Sequence, residues 1–404
     1  MTTVVSILLS DIIPLKDRGV WQGLINIVYA TGASSGAPLG GLLADFVGWR
    51  WAFLGQAPLC LVAFVAVVFA LKLPAREQKD WRTNLGRIDF LGALVLVSAV
   101  FCLIFGLDRG SNESWSLPIS YAPLIASIFA FALFVFVERN IAAEPFAPGH
   151  IIFERSLFAC YLCNFFSFGG WLAILYYIPL FFQAVDGFGA TGAAVRLIPA
   201  ILASVSGSLF GGIVMKKTGK FYWLTVVSYA TLTTGAVIVL CFVGLVTNST
   251  YGIAIGMMFS GFGIGIGVTS TLIGLRMFWP LPSTAKLTCI VSNAAPEDQA
   301  VTTAGSYLFR SLGSVVGVSL SSTVIQQSLR NSLREALGSG KEAEKVVQKV
   351  RKSLDAIKTL DPKVAQVVRD CYEHAVTNGF ALMVGITFLA VVSSVFIREK
   401  RLSR

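Results

Sequence analysis

Apolar residues run along this chain in long unbroken stretches, with polar and charged positions gathered between them. Ten stretches stand out, at 20–44, 51–72, 87–107, 119–138, 157–183, 189–214, 222–246, 252–275, 300–325 and 375–397. Each is long enough for a helix to cross the hydrocarbon core, which takes about 20 apolar residues. Residues 1–15 read as the closing half of an eleventh. In lipid only helices and closed barrels satisfy every backbone N–H and C=O. Barrel strands alternate apolar and polar positions over roughly ten residues, and these runs do not. The pattern predicts an all-α fold, a polytopic transmembrane helical bundle of about ten full spans plus an N-terminal partial helix.

Composition agrees with lipid as the solvent. The chain has 404 residues, 55% hydrophobic and 13% charged, where soluble domains carry about 25% charged. Its mean hydropathy is +0.73. The net charge of +10 admits two readings, nucleic acid or basic cytosolic loops. If the 10–19 loop is cytosolic, alternation makes 73–86, 139–156, 215–221, 276–299 and the C-terminal tail cytosolic as well. Those loops and their flanks hold Lys72, Arg76, Lys79, Lys216, Lys217 and Lys220 among many, against only Arg50 and Arg109 in the short loops opposite. That asymmetry fits the positive-inside rule, so no nucleic-acid partner is expected. Two sequons, Asn112-Glu-Ser and Asn248-Ser-Thr, both fall in the non-cytosolic loops and are candidate glycosylation sites.

The stretch 328–373 cuts the other way, with ten basic residues on the non-cytosolic side. Val346, Val350, Leu354 and Ile357 recur at helical spacing, which predicts an amphipathic helix lying on the membrane, capping the bundle or simply solvated.

Candidate chemistry is sparse. Cys160 and Cys163 form a CxxC without a second pair or a nearby His, so small buried helix residues explain them better than a metal. The two histidines, His150 and His374, lie near span ends without a ligand-spaced partner or nucleophile motif. No enzyme, cofactor or metal site is expected. The glycines of 252–275 follow no strand and precede no Lys-Ser/Thr, so they serve close packing or a hinge rather than a phosphate. In helix 20–44, Gly32, Gly36 and Gly40 line one face, Gly41 follows, and Pro38 removes a backbone bond and kinks the helix. Such a helix suits either ordinary close packing or two bundle halves that rock.

The wider string is more specific. It runs from Ser10-Asp11 through Pro14 and Asp17-Arg18-Gly19 to Trp21-Gln22-Gly23 and the Gly-x-x-x-Gly-x-Pro-x-Gly-Gly run, then Gly48-Trp49-Arg50-Trp51. Further along come Ile88-Asp89, Asp108-Arg109-Gly110, Pro296-Glu297-Asp298 and Tyr307-Leu308-Phe309-Arg310-Ser311-Leu312-Gly313. This resembles the major facilitator superfamily, and within it the 14-helix drug:proton antiporter branch, most similarly the fungal vacuolar basic amino acid transporters. The resemblance implies a major-facilitator bundle in three parts. Residues 1–72 would be a remnant of the N-terminal lobe, holding the end of the family's fourth helix with its fifth and sixth. Residues 73–156 would be two linker spans with cytosolic loops, and 157–404 a six-helix C-terminal lobe with the amphipathic loop 328–373. It also implies that helices preceding residue 1 are missing, and that the 276–288 run is either a translated intron or a genuine insertion.

Function follows from the same resemblance: proton-coupled transport of a small solute by alternating access, with basic amino acids at the vacuolar membrane expected before the plasma membrane. The partners would be a small-molecule substrate, protons and the lipid bilayer. Multidrug or toxin efflux is the alternative, since an aromatic, weakly polar cavity suffices and the chain has 30 Phe. A truncated, non-transporting membrane protein is a third reading. Conformational roles fall to Gly32, Gly36, Pro38, Gly40 and Gly41, and gate or charge roles to Asp11, Arg18 and Arg310. Arg310 lies inside a span, either as a charge partner or with its stem snorkelling to the interface. Asn164, Tyr176, Tyr177 and Gln183 are cavity candidates or interhelix bonds.

Overall fold

The computed structural model describes residues 5, 18–70, 89–112, 115–141, 155–277, 295–337 and 361–398. Within them the chain forms twelve helices: α1 Arg18–Phe46, α2 Trp49–Leu54, α3 Gln56–Ala70, α4 Phe90–Asn112, α5 Pro118–Asn140, α6 Arg155–Ala184, α7 Ala190–Val195, α8 Ile198–Thr218, α9 Tyr222–Phe242, α10 Thr250–Met277, α11 Ala295–Leu337 and α12 Pro362–Val395. Each of the ten expected stretches is largely helical where it is described. Among the described residues eight helical segments, α7 and α8 counted as one, are long and apolar enough to cross a membrane. α1 spans 29 residues but is rich in Gly, Ala and Ser.

Proline sets two breaks. The 51–72 stretch is split between α2 and α3 at Gly55, because Pro58 has no N–H to give Leu54. The 189–214 stretch is split between α7 and α8 at Arg196–Leu197, where Pro199 cannot bond back to Val195. Gly48, at φ 102, takes the left-handed turn that separates α1 from α2.

The 328–373 stretch is described only at its two ends. Its first residues continue α11, a helix of 43 residues described to Leu337. Its last residues open α12 at Pro362, a residue suited to a first helical turn. Leu329, Leu333 and Val368 are buried there, so these ends pack in the core. Val346, Val350, Leu354 and Ile357 lie outside the described residues, as does the 276–288 run beyond Met277.

Helices α6 and α8 to α12 pack as one bundle that holds most of the buried apolar side chains, from Leu157 to Ile397. α6 touches α10, α11 and α12, while α10 lies between α8 and α9. The glycines of α10 explain that placement. A Cβ at Gly261 or Gly265 would strike the α8 backbone at Ala200 or Ser204, and one at Gly256 or Gly263 the α9 backbone at Val239 or Leu232. Without side chains the helices close to van der Waals contact along both seams. Outside the bundle, α1 lies along α7 and α8, and α4 pairs with α5 while touching α11. Side chains such as Leu59, Phe64 and Phe69 of α3 are exposed, as lipid-facing residues are.

Candidate functional site

The most concentrated polar chemistry of the bundle sits where α6, α10 and α11 meet. Glycines again permit the approach: a Cβ on Gly169 of α6 would come 2.9 Å from Gly313 O of α11, and Gly313 and Gly317 abut Phe165 O and Gly169 O in return. One to two turns from that crossing, Arg310 of α11 reaches Asn164 of α6. Its Nε donates to Asn164 Oδ1 at 3.0 Å and its Nη2 to Val268 O of α10 at 3.3 Å. Asn164 Nδ2 donates to Ser306 Oγ at 3.3 Å. Thr271 Oγ1 lies 3.2 Å from Asn164 Oδ1 and 2.7 Å from Gly267 O, and its one proton serves one of them at a time.

Arg310 is 5% exposed. A buried charge is costly unless paired, and an intramembrane arginine costs roughly 3 kcal/mol or more. Among the described residues no carboxylate pairs with it. Two oxygen acceptors compensate in part, together with the ring faces of Phe168 and Tyr307, each centred 5.1 Å from the guanidinium carbon. A desolvated cation–π contact contributes about 2 kcal/mol at best. The guanidinium is held inside the protein, so the side chain does not snorkel.

The other expected site residues do not converge on this point. Tyr176 and Tyr177 stand 12 and 13 residues further along α6, about 18–20 Å at 1.5 Å per residue. Their rings meet edge to face at 5.0 Å, but Tyr177 is buried and Tyr176 is 63% exposed. Gln183 Nε2 bonds Pro179 O of its own helix. Of the four cavity candidates only Asn164 joins Arg310.

The glycine–proline run of α1 also departs from the expected seam. A Cβ at Gly32, Gly36 or Gly40 would meet nothing within 4 Å among the described residues. The close contact falls at Gly41, whose Cβ position lies 2.9 Å from Thr191 Cα of α7. Pro38 lies within α1 and is half-buried. Arg18 is the first residue of α1, and Asp11 lies outside the described residues. Asn112 ends α4.

Asn248 lies in the turn between α9 and α10, where Val243 and Asn248 pair as an isolated bridge. Its Nδ2 donates to Asp186 Oδ1 at 3.3 Å. Asp186 Oδ2 is buried without a hydrogen-bond partner. Burial raises the Asp186 pKa, and the Asn248 bond and the charge of Arg196 oppose that shift. Arg196 itself folds over Phe188, 3.5 Å from the ring centre, and donates to Gly192 O. Sequence reasoning passed over Asp186, and also Ser306, Thr271 and Phe168. The i, i+4 spacing of Ser306 to Arg310 and of Asn164 to Phe168 is the signal that places each pair on one helix face.

A family model described as the Major Facilitator Superfamily matches residues 1–318. The chain is 36% identical over 404 residues to a vacuolar membrane amino acid uptake transporter of Schizosaccharomyces pombe, covering 100% of this chain and 67% of that relative. It is 34% identical over 405 residues to a multidrug resistance protein of the same yeast, covering 98% and 72%. A vacuolar basic amino acid transporter of Saccharomyces cerevisiae is 28% identical over 408 residues, with 97% and 82% covered.

Proposed function

From the premise that the chain belongs to the Major Facilitator Superfamily, a family of membrane transporters and not of enzymes, we propose that it moves basic amino acids across the vacuolar membrane, coupled to protons. It is an integral, multi-pass membrane protein with a small-molecule substrate. The observation that carries the substrate class is the 36% identity, over the whole chain, to an amino acid uptake transporter of a vacuolar membrane. The relative named for basic amino acids supports the narrower class. Protons are the coupling ion by the same resemblance. Alternating access would turn on the contact of α1 with α7 and α8, where Gly41 brings two backbones together. Asp11 and Arg18 would act as gate charges, with the Gly32–Gly41 run as the sliding face.

The test is uptake of labelled arginine, lysine and histidine into vacuolar vesicles with an imposed proton gradient. Gradient-dependent uptake that collapses with a protonophore is expected. A specific observation favours a second reading, drug efflux, namely the 34% identity to a multidrug resistance protein. Drug extrusion without amino acid uptake would replace the first reading with that one. Movement of neither solute would fit a membrane protein that does not transport.

A further inference from the structure

We propose that Arg310 is a carboxylate anchor: its buried guanidinium takes the carboxylate of the transported amino acid as its missing counter-ion. The inference rests on the amino acid reading above and names the atom group of the substrate that the C-terminal bundle recognises.

Four observations carry it. Arg310 is almost fully buried and has no acidic partner among the described residues. Of the five N–H groups of a guanidinium, one on Nε and one on Nη2 are used, and the rest have no acceptor among the described residues. The position is well inside the span: Arg310 is eight residues beyond Thr302, where the apolar part of α11 begins, which is about 12 Å along the helix at 1.5 Å per residue. Finally, the group is oriented. Asn164 and Val268 fix one edge of the plane, and Phe168 and Tyr307 lie against it.

A guanidinium and a carboxylate share a planar fork geometry and form two parallel charge-assisted hydrogen bonds. A substrate that brings its own carboxylate therefore neutralises the buried charge on arrival, and the unused N–H groups gain acceptors. A cation without a carboxylate would meet only repulsion at this position. The bundle thereby selects amino acids over amines of the same charge, whatever residues receive the side-chain cation. A structural bolt joining α6, α10 and α11 would use the same bonds to Asn164 and Val268, but it would not discriminate between ligands.

The experiment uses the full chain purified in detergent, with labelled arginine as probe and agmatine, its decarboxylated counterpart, as competitor. The wild-type protein should prefer arginine by about tenfold or more, the scale of a hydrogen bond to a charged group. Arg310→Gln should remove the preference, and Arg310→Lys should keep part of it, since the charge remains and the fork is lost. Asn164→Asp places a carboxylate beside the guanidinium inside the protein. It should lose the arginine preference while its melting temperature stays at or above wild type, which keeps the test open if Arg310→Gln does not fold. Equal binding of arginine and agmatine by the wild type overturns the anchor and leaves the amino acid reading standing. If neither binds but benzoate binds the wild type and not Arg310→Gln, the anchor stands and the amino acid reading falls. If no carboxylate binds, both fall.

Discussion

Asp186 shows how burial at the scale of one residue becomes a dependence on pH. One carboxylate oxygen accepts from Asn248, and the other is buried without a hydrogen-bond partner. Burial disfavours the charged form and raises the pKa, against the smaller opposing effects of Asn248 and Arg196. Between the ordinary value near 3.9 and the raised one, the folded protein holds more protons than the unfolded chain. Stability from this group is therefore full below that window and falls as pH rises through it. Asp186→Asn should flatten this part of the profile: the melting temperature in detergent should drop less between pH 4 and pH 7 than in the wild type. A second residue-scale expectation concerns Asn164. Asn164→Ala takes the acceptor from a buried charge and should cost roughly 1.5–3 kcal/mol, read as a lower unfolding midpoint. Asn164 and Arg310 were legible in sequence because polar residues are rare and expensive inside apolar runs. Ser306 and Thr271 were not, because a hydroxyl in a span satisfies itself on its own helix, as Thr271 does with Gly267 O. Asp186 was missed because nothing in a sequence reports that a loop carboxylate will be half-buried.

At the scale of helices, glycine spacing announced close packing but did not say which seams close. The run at Gly32, Gly36 and Gly40 has the regular spacing, yet its face is open among the described residues. The seam that brings Asn164 to Arg310 is made by Gly169, Gly313 and Gly317, where each helix presents backbone to backbone. Partner choice depends on the opposing helix, and periodicity within one helix cannot supply that. The two sets should respond differently to substitution. Gly317→Ala puts a methyl group against Gly169 O, so α6 and α11 must separate, at about 1–3 kcal/mol and with loss of the Arg310–Asn164 bond. Gly32→Ala meets no atom within 4 Å among the described residues and replaces a poor helix former with a good one. Its melting temperature should equal or slightly exceed that of the wild type, while Gly317→Ala should fall several degrees in the same assay. A fall of similar size in both would mean that the face at Gly32 is packed. Proline was no surer a guide: Pro58 and Pro199 each coincide with a helix break inside a stretch read as one span, whereas Pro38, Pro123 and Pro179 lie within continuous helices.

Across the whole molecule, apolar run length carried the fold, because it reports directly on the bilayer, and the basic residues supply an expected orientation. The arrangement of helices did not follow from either. Lipid-facing and protein-facing side chains are equally apolar, so the leaning of α1 on α7 and α8 and of α4 on α11 left no mark in the pattern. Orientation can be checked at α9, whose 21 residues span about 31 Å, roughly the thickness of the hydrocarbon core. The two turns at its ends must then lie on opposite sides of the membrane. The turn before it follows Lys216 and Lys217 and contains Lys220, and the turn after it, from Val243 to Ser249, has no basic residue. By the positive-inside rule the first is cytosolic. In sealed membranes whose cytosolic face is outward, Lys217→Cys should react with a membrane-impermeant maleimide, and Thr247→Cys should react only after permeabilisation. A lumenal position for the second turn would also put Asn248 on the side where N-glycans are added. Labelling of both cysteines in sealed membranes would mean that α9 does not cross, and labelling in the reverse order would invert every loop assigned from it.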